Sequence, residues 1–212
     1  MFILSKSILK PIQTPNTNAV FLLKFIIFLK NLFVKYKTVL RFILLFLGTY
    51  LLLTFLYSLY LKYSEVGLYY PDFFTNLVAK QSNEVIQALG YSGAVKPDSV
   101  GPFMRLYIND VYLARVVEGC NAISIIILFV AFIISFAERF KKTVLYIFAG
   151  IALIYAVNIL RIALLTIALY HYPEYTDFLH QIVFPAIIYG MVFLLWLFWV
   201  RNLKVKPKKS NE

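Results

Sequence analysis

The sequence predicts an all-α integral membrane protein: about four transmembrane helices, a small extracytoplasmic cap of one helix plus a β-hairpin, and an N-terminal interfacial helix. Three observations carry this expectation. The 212-residue chain is 61% hydrophobic and only 15% charged, with a mean hydropathy of +0.78, outside the range of soluble domains. Four apolar stretches approach the roughly 20 residues that a membrane-crossing helix needs. The charged residues also segregate by loop, as they do around membrane spans.

Residues 1–37 read as a cytoplasmic or interfacial segment. Within them, residues 19–34 (AVFLLKFIIFLKNLFV) are apolar but short, and Lys24 and Lys30 interrupt the run. Lys24, Asn31 and Lys35 share a helical face, which favours a helix lying on the bilayer over a fifth span. No small-residue cleavage site follows, which argues against a signal peptide. The transmembrane domain covers residues 38–200. Its first span runs from about Thr38 to Leu61, with Arg41 close enough to the start to snorkel.

The extracytoplasmic loop is residues 62–118. From Pro71 to Leu89, apolar Phe74, Leu77, Val78, Val85 and Leu89 recur at helical spacing, and Gly90 closes the helix. Met104–Ile108 and Val111–Val117 read as two strands across an Asn109–Asp110 turn. The second strand leads directly into Glu118, Gly119 and Cys120. Span two runs from about Cys120 to Ala137, and span three from Thr143 to about Tyr170, with Asn158 and Arg161 inside it. Span four runs from about Phe178 to Val200 and ends in Trp196, Phe198 and Trp199, an aromatic cluster of the kind found at membrane–water interfaces. Residues 201–212 form a basic cytoplasmic tail.

Orientation follows from the charges. With the N-terminus in the cytoplasm, Lys6, Lys10, Lys24, Lys30, Lys35, Lys37 and Arg41 fall inside. So do Arg139, Lys141 and Lys142 in the second loop, and Arg201, Lys204, Lys206, Lys208 and Lys209 in the tail. That is 15 of 21 basic residues, whereas eight of ten acids (Glu65, Asp72, Glu84, Asp98, Asp110, Glu118, Glu174, Asp177) fall outside. The reverse topology violates the positive-inside rule at every loop. Both termini are thus expected in the cytoplasm, and the net charge of +11 reflects orientation. No basic helix or RNA-binding signature accompanies it, so the bilayer is expected as a partner and nucleic acid is not. A single cysteine excludes an internal disulfide and multi-cysteine zinc sites; no metal or cofactor is expected.

Arg161 is the one basic residue that orientation does not explain. It lies 18 residues after Thr143, roughly 27 Å up its helix and near the outer surface of a core about 30 Å thick. Asn158, three residues earlier, shares its face. Cys120 begins span two from the outside and His180 begins span four from the outside. Three spans therefore present a thiol, a guanidinium and an imidazole at one depth. That set suits thiol acyl transfer. A cysteine nucleophile works as its thiolate, a form that a neighbouring cation and a helix N-terminus both favour. Histidine can take the thiol proton and return it to the leaving amine, and arginine can stabilise the thiolate or the oxyanion. Glu118 and Asp177 are candidate supporting residues with Asn158, Asp177 because it lies one turn before His180. His171 reads as an interfacial residue, and Ser124 as a helix residue four positions after Cys120.

These residues carry a resemblance. EGCNAIS (residues 118–124) at the outer start of one span, NILRIA (Asn158–Ala163) in the next and His180 opening the last resemble the exosortase/archaeosortase family. Over roughly residues 38–200 the chain is similar to the short F-type branch of exosortases. The resemblance implies a multi-pass protein of the bacterial cytoplasmic (inner) membrane with an outward-facing triad of Cys120, Arg161 and His180. It also implies a cysteine peptidase or transpeptidase acting on membrane-anchored proteins that end in a short motif, an apolar span and a basic tail. The chain departs from the family after the cysteine, where most members have Ser-Gly and this one has Asn121-Ala122, and it has fewer spans than full-length forms. Other readings are a non-enzymatic multi-pass scaffold or assembly subunit using Arg161 for helix pairing, and a transporter, although one charge near the outer face makes a poor midplane site.

Overall fold

The computed structural model describes residues 35–64, 70–137 and 139–203. The chain divides into two compact units, residues 1–41 and 42–212. Of the first, only the opening of helix α1 is described, so the interfacial helix expected at 19–34 lies outside the described residues, as does the tail beyond residue 203. Among the described residues, three helical stretches are long and apolar enough to cross a membrane, at Lys37–Ser64, Phe140–His171 and Pro173–Asn202.

Helix α1 (Lys37–Ser64) buries none of its residues, and Leu44, Leu51 and Phe55 are each more than half exposed. An apolar helix with so open a surface suits lipid. The cap helix α2 (Phe73–Ala88) starts where expected, because the Asp72 carboxylate accepts the N–H groups of Phe74 and Thr75, each at 3.0 Å, and so satisfies two orphan donors of the first turn. Gly90 ends it at φ +90, a conformation that costs glycine little.

Strands β2 (Met104–Ile108) and β3 (Val111–Val116) form the expected hairpin. Asn109 and Asp110, at φ 51 and 61, supply the left-handed pair that a tight two-residue turn requires. A third strand was not expected: β1 (Gly93–Pro97) pairs antiparallel with β2, giving the order β1-β2-β3 with β3 at an edge. Strand β2 buries alternate residues Met104, Leu106 and Ile108, as a half-buried central strand should. The ladder skips between Leu106 and Tyr107, whose partners are Ala114 and Tyr112, so Leu113 bulges out of register.

The second expected span is shorter than foreseen. Helix α3 (Ile123–Ser135) has 13 residues, about 20 Å of rise against a core of roughly 30 Å. Its start is displaced from Cys120 to Ile123 for a local reason. Asn121 turns its side-chain oxygen onto the Ile123 N–H at 3.0 Å, and Ala122 adopts φ +63, which no right-handed helix can include. Helix α4 (Phe140–His171) runs unbroken through Asn158 and Arg161. The last span opens with a short helical turn, Thr176–Phe178, widens into a π-helical turn, Leu179–Val183, and continues as α5 (Phe184–Leu203). Pro185 accounts for the widening. It has no N–H, and its ring collides with the carbonyl four residues back in a regular helix, so the preceding turn closes from Phe184 to Leu179 instead.

Helices α3, α4 and α5 share a core built on Phe129, Ile133, Ile154, Val192 and Trp199. The terminal tryptophans turn inward: Trp196 stacks on Phe132 at 4.5 Å and Trp199 on Tyr146 at 4.7 Å. Gly150 lets α4 meet Phe129, since a Cβ there would lie 2.2 Å from its Cζ. The cap joins this bundle through α4, where Val78, Ala79, Leu106 and Val116 pack on Ile162.

Two expected outcomes follow from this packing. Gly150→Leu overpacks the α3–α4 crossing, and thermal unfolding in detergent should show a loss of about 1–3 kcal/mol, with Phe129→Leu in the same chain restoring part of it. The cap should also weaken in acid. Burial pushes the Asp98 carboxyl up, but N–H donors from Val100 and Gly101 and the Arg105 guanidinium together hold it below its ordinary value of 3.8. A depressed carboxylate contributes its full stability above the unfolded value and loses it as pH falls through the lower folded one. Unfolding followed by cap tryptic susceptibility should therefore steepen below a pH of about 4, and Asp98→Asn should remove that acid limb.

Candidate active site

Glu118, Gly119 and Cys120 form a single 3-10 turn between β3 and α3. The Cys120 N–H donates to the Val117 carbonyl at 2.8 Å, which closes the turn directly on the end of the strand. Cys120 thus stands ahead of α3 in a turn of its own, not in the first turn of a span, and Ser124 does not share a helical face with it. Two buried asparagines fix the turn. Asn158 of α4 donates its amide N–H to the Cys120 carbonyl at 2.7 Å. Asn121 donates to the Tyr57 hydroxyl oxygen of α1 at 2.7 Å and to the Thr75 hydroxyl of α2 at 3.2 Å. A buried carbonyl or amide left without such a partner costs about 1–3 kcal/mol, so these contacts make the turn's position specific.

Arg161 follows Asn158 by three residues on α4, so the helix that grips the Cys120 backbone also carries the guanidinium. Its Nε is buried with no hydrogen-bond partner among the described residues. His180 belongs to the π-helical turn and is exposed. Cys120, Arg161 and His180 line one cavity of about 190 Å³, together with residues 113–116 of β3 and with Ile162, Thr166 and Thr176. A π turn inserted at a helix start changes which side chains face inward, and such turns recur at functional sites.

Not every expected residue arrives there. Asp177 is exposed and makes no hydrogen bond to His180 among the described residues; Thr176 lines the cavity in its place. Glu118 heads the turn and is half-buried, outside the cavity wall. His171 hydrogen-bonds through Nε2 to the Tyr91 hydroxyl at 2.8 Å, and Asn109 donates to the Tyr170 hydroxyl at 2.9 Å. The C-terminal end of α4 thereby fastens the cap. Asn121 was the residue missed. Its partners lie 46 and 64 residues away. No sequence periodicity links them.

The family model described as transmembrane exosortase matches residues 12–201. The chain belongs to the transmembrane exosortase family. No curated protein and no solved structure matches it in the same comparisons. Exosortase membership fits the three membrane-length helices found among the described residues. Ala122 sits at φ +63, a conformation that glycine adopts freely and that alanine reaches only at a cost of about 1–2 kcal/mol.

Asn158→Ala leaves the part-buried Cys120 carbonyl without its side-chain donor. It should lower stability in detergent by about 1–3 kcal/mol without preventing insertion, as read by thermal unfolding and by membrane yield.

Proposed function

We propose that this exosortase is a membrane-embedded cysteine peptidase or transpeptidase that removes the C-terminal sorting signal of exported proteins at the outer face of the bacterial inner membrane. The observation that carries the reading is the cavity shared by Cys120, Arg161 and His180, three residues drawn from a strand-end turn, a helix interior and a π turn. Membership of the exosortase family supports a membrane protein substrate, and the resemblance implies its form: a protein held in the bilayer by its own C-terminal apolar span, with a short motif before it and a basic tail after it.

The chemistry divides among the three side chains. His180 accepts the Cys120 thiol proton as Sγ attacks the scissile carbonyl. The Arg161 guanidinium, with its unpartnered buried Nε, faces the oxyanion that develops and is already in place to stabilise it. Collapse of the tetrahedral species breaks the C–N bond. His180 returns the proton to the leaving amine, and the apolar span departs with a new N-terminus. The upstream part of the target stays on Cys120 as a thioester until water or an acceptor amine releases it, giving hydrolysis or transpeptidation. Tethering in the bilayer makes the encounter nearly two-dimensional and oriented, which removes much of the entropy cost of bringing the two together. Asn158 acts through the backbone of the turn as a positioning residue.

The test uses a tagged exported protein from the same genome that ends in an apolar span and a basic tail, co-expressed with the chain. Cys120→Ala, Arg161→Ala and His180→Ala should each cut processing by on the order of a hundredfold or more while the protein still inserts. Processing that survives Cys120→Ala would overturn the reading. A scaffold using Arg161 for helix pairing gives the opposite pattern, with Cys120→Ser silent and Arg161→Lys active.

A further inference from the structure

We propose that the free edge of β3 is where the target docks: the extended segment just upstream of its membrane span pairs with β3 as a fourth strand of the sheet. The proposal rests on the peptidase reading of Cys120 and adds how the substrate is held.

The cavity that contains Cys120 is walled by four successive residues of the strand, Leu113, Ala114, Arg115 and Val116. Successive side chains of a strand point to opposite faces, so a cavity lying against one face meets every second residue. The bulge at Leu113 accounts for one break in that alternation. It does not account for the rest, because Ala114, Arg115 and Val116 sit in a regular ladder opposite Leu106, Arg105 and Met104. Burial confirms the alternation there. Ala114 and Val116 pack into the cap core, whereas Arg115 is exposed. A cavity touching residues of both faces runs along the edge, against the backbone.

Among the described residues, β2 pairs with one edge of β3 and no strand pairs with the other. Among the described residues, no hydrogen bond beyond the β2 ladder reaches residues 111–116, and the next carbonyl, that of Val117, is taken by the Cys120 N–H. Edge strands present alternate N–H and C=O groups outward, a template for an added strand. Four residues of such a template span about 13 Å. They end one tight turn before the thiol, so a peptide paired to them delivers its next bond to the Cys120–Arg161–His180 end of the cavity. Backbone pairing also leaves the target's side chains free to be read by the walls, Leu113 and Arg115 among them.

Disulfide mapping tests this in native membranes with full-length chain carrying Cys120→Ser and Arg115→Cys. The partner is the same tagged target, with a single cysteine placed in turn at each of about eight positions upstream of its span. An added strand predicts one strong cross-link with weaker ones two residues to either side, and intervening positions down by on the order of tenfold. Equal cross-linking at every position, a three-to-four-residue period, or no cross-link at all overturns the docking. A disulfide between two copies of the chain, with none to the target, places a second copy on the edge and overturns it too. In parallel, cleavage of each cysteine-bearing target by the unaltered chain and by Cys120→Ala separates the two ideas. Cys120-dependent cleavage without periodic cross-links sinks the strand docking alone, and Cys120-independent cleavage sinks the peptidase reading.

Discussion

The structure turns on one part-buried hydrogen bond, from the Asn158 amide to the Cys120 carbonyl at 2.7 Å. A 3-10 turn of three residues has little stability of its own, because its hydrogen-bond geometry is poor and it buries little surface. Something outside it must hold it. Asn158 does so from α4, and Asn121 adds ties to Tyr57 on α1, Thr75 on α2 and the first N–H of α3. Both asparagines are nearly fully buried, where each amide bond is strengthened by the low dielectric and an unmade one is costly. The turn is therefore fixed relative to four helices at once, and the cysteine it carries has one place to be.

Helix α4 is the common reference for the rest of the site. It grips the turn through Asn158 and presents Arg161 one turn later. Through Ile162 and Ala163 it also receives the apolar face of the cap. Strand β3 packs on the same helix and runs straight into the turn. His180 alone comes from a different support, the π turn that Pro185 imposes at the head of α5. Rigid elements thus meet at the cavity from three directions, the arrangement a site needs if its groups are to stay aligned without help from a mobile loop.

Much of this was legible in the sequence, for identifiable reasons. The long spans show in hydropathy, since lipid demands unbroken apolar length. The cap helix shows in Asp72, its apolar stripe and Gly90, and the hairpin in Asn109-Asp110, because caps and tight turns are local chemistry. Cys120, Arg161 and His180 were grouped in the sequence by the depth that charge-derived topology implies, and the three line one cavity. What stayed hidden depends on contacts made at long range or on backbone geometry. Strand β1 has no alternating burial pattern and is defined by its antiparallel pairing with β2. The displacement of the α3 start to Ile123 comes from Asn121 and Ala122, residues that hydropathy scores as a continuous approach to the span. Asp177 looked like a partner for His180 by spacing alone, yet the helix around it is too irregular for spacing to decide.

The central claim is that Cys120 faces outward from the membrane and does the chemistry there. A membrane-impermeant maleimide, added to spheroplasts that produce the tagged target, tests both parts at once. The account predicts that Cys120 is modified from outside and that processing falls in proportion to the fraction modified. Full modification with processing undiminished, or processing in cells where the reagent reaches Cys120 only after the membrane is opened, would contradict it.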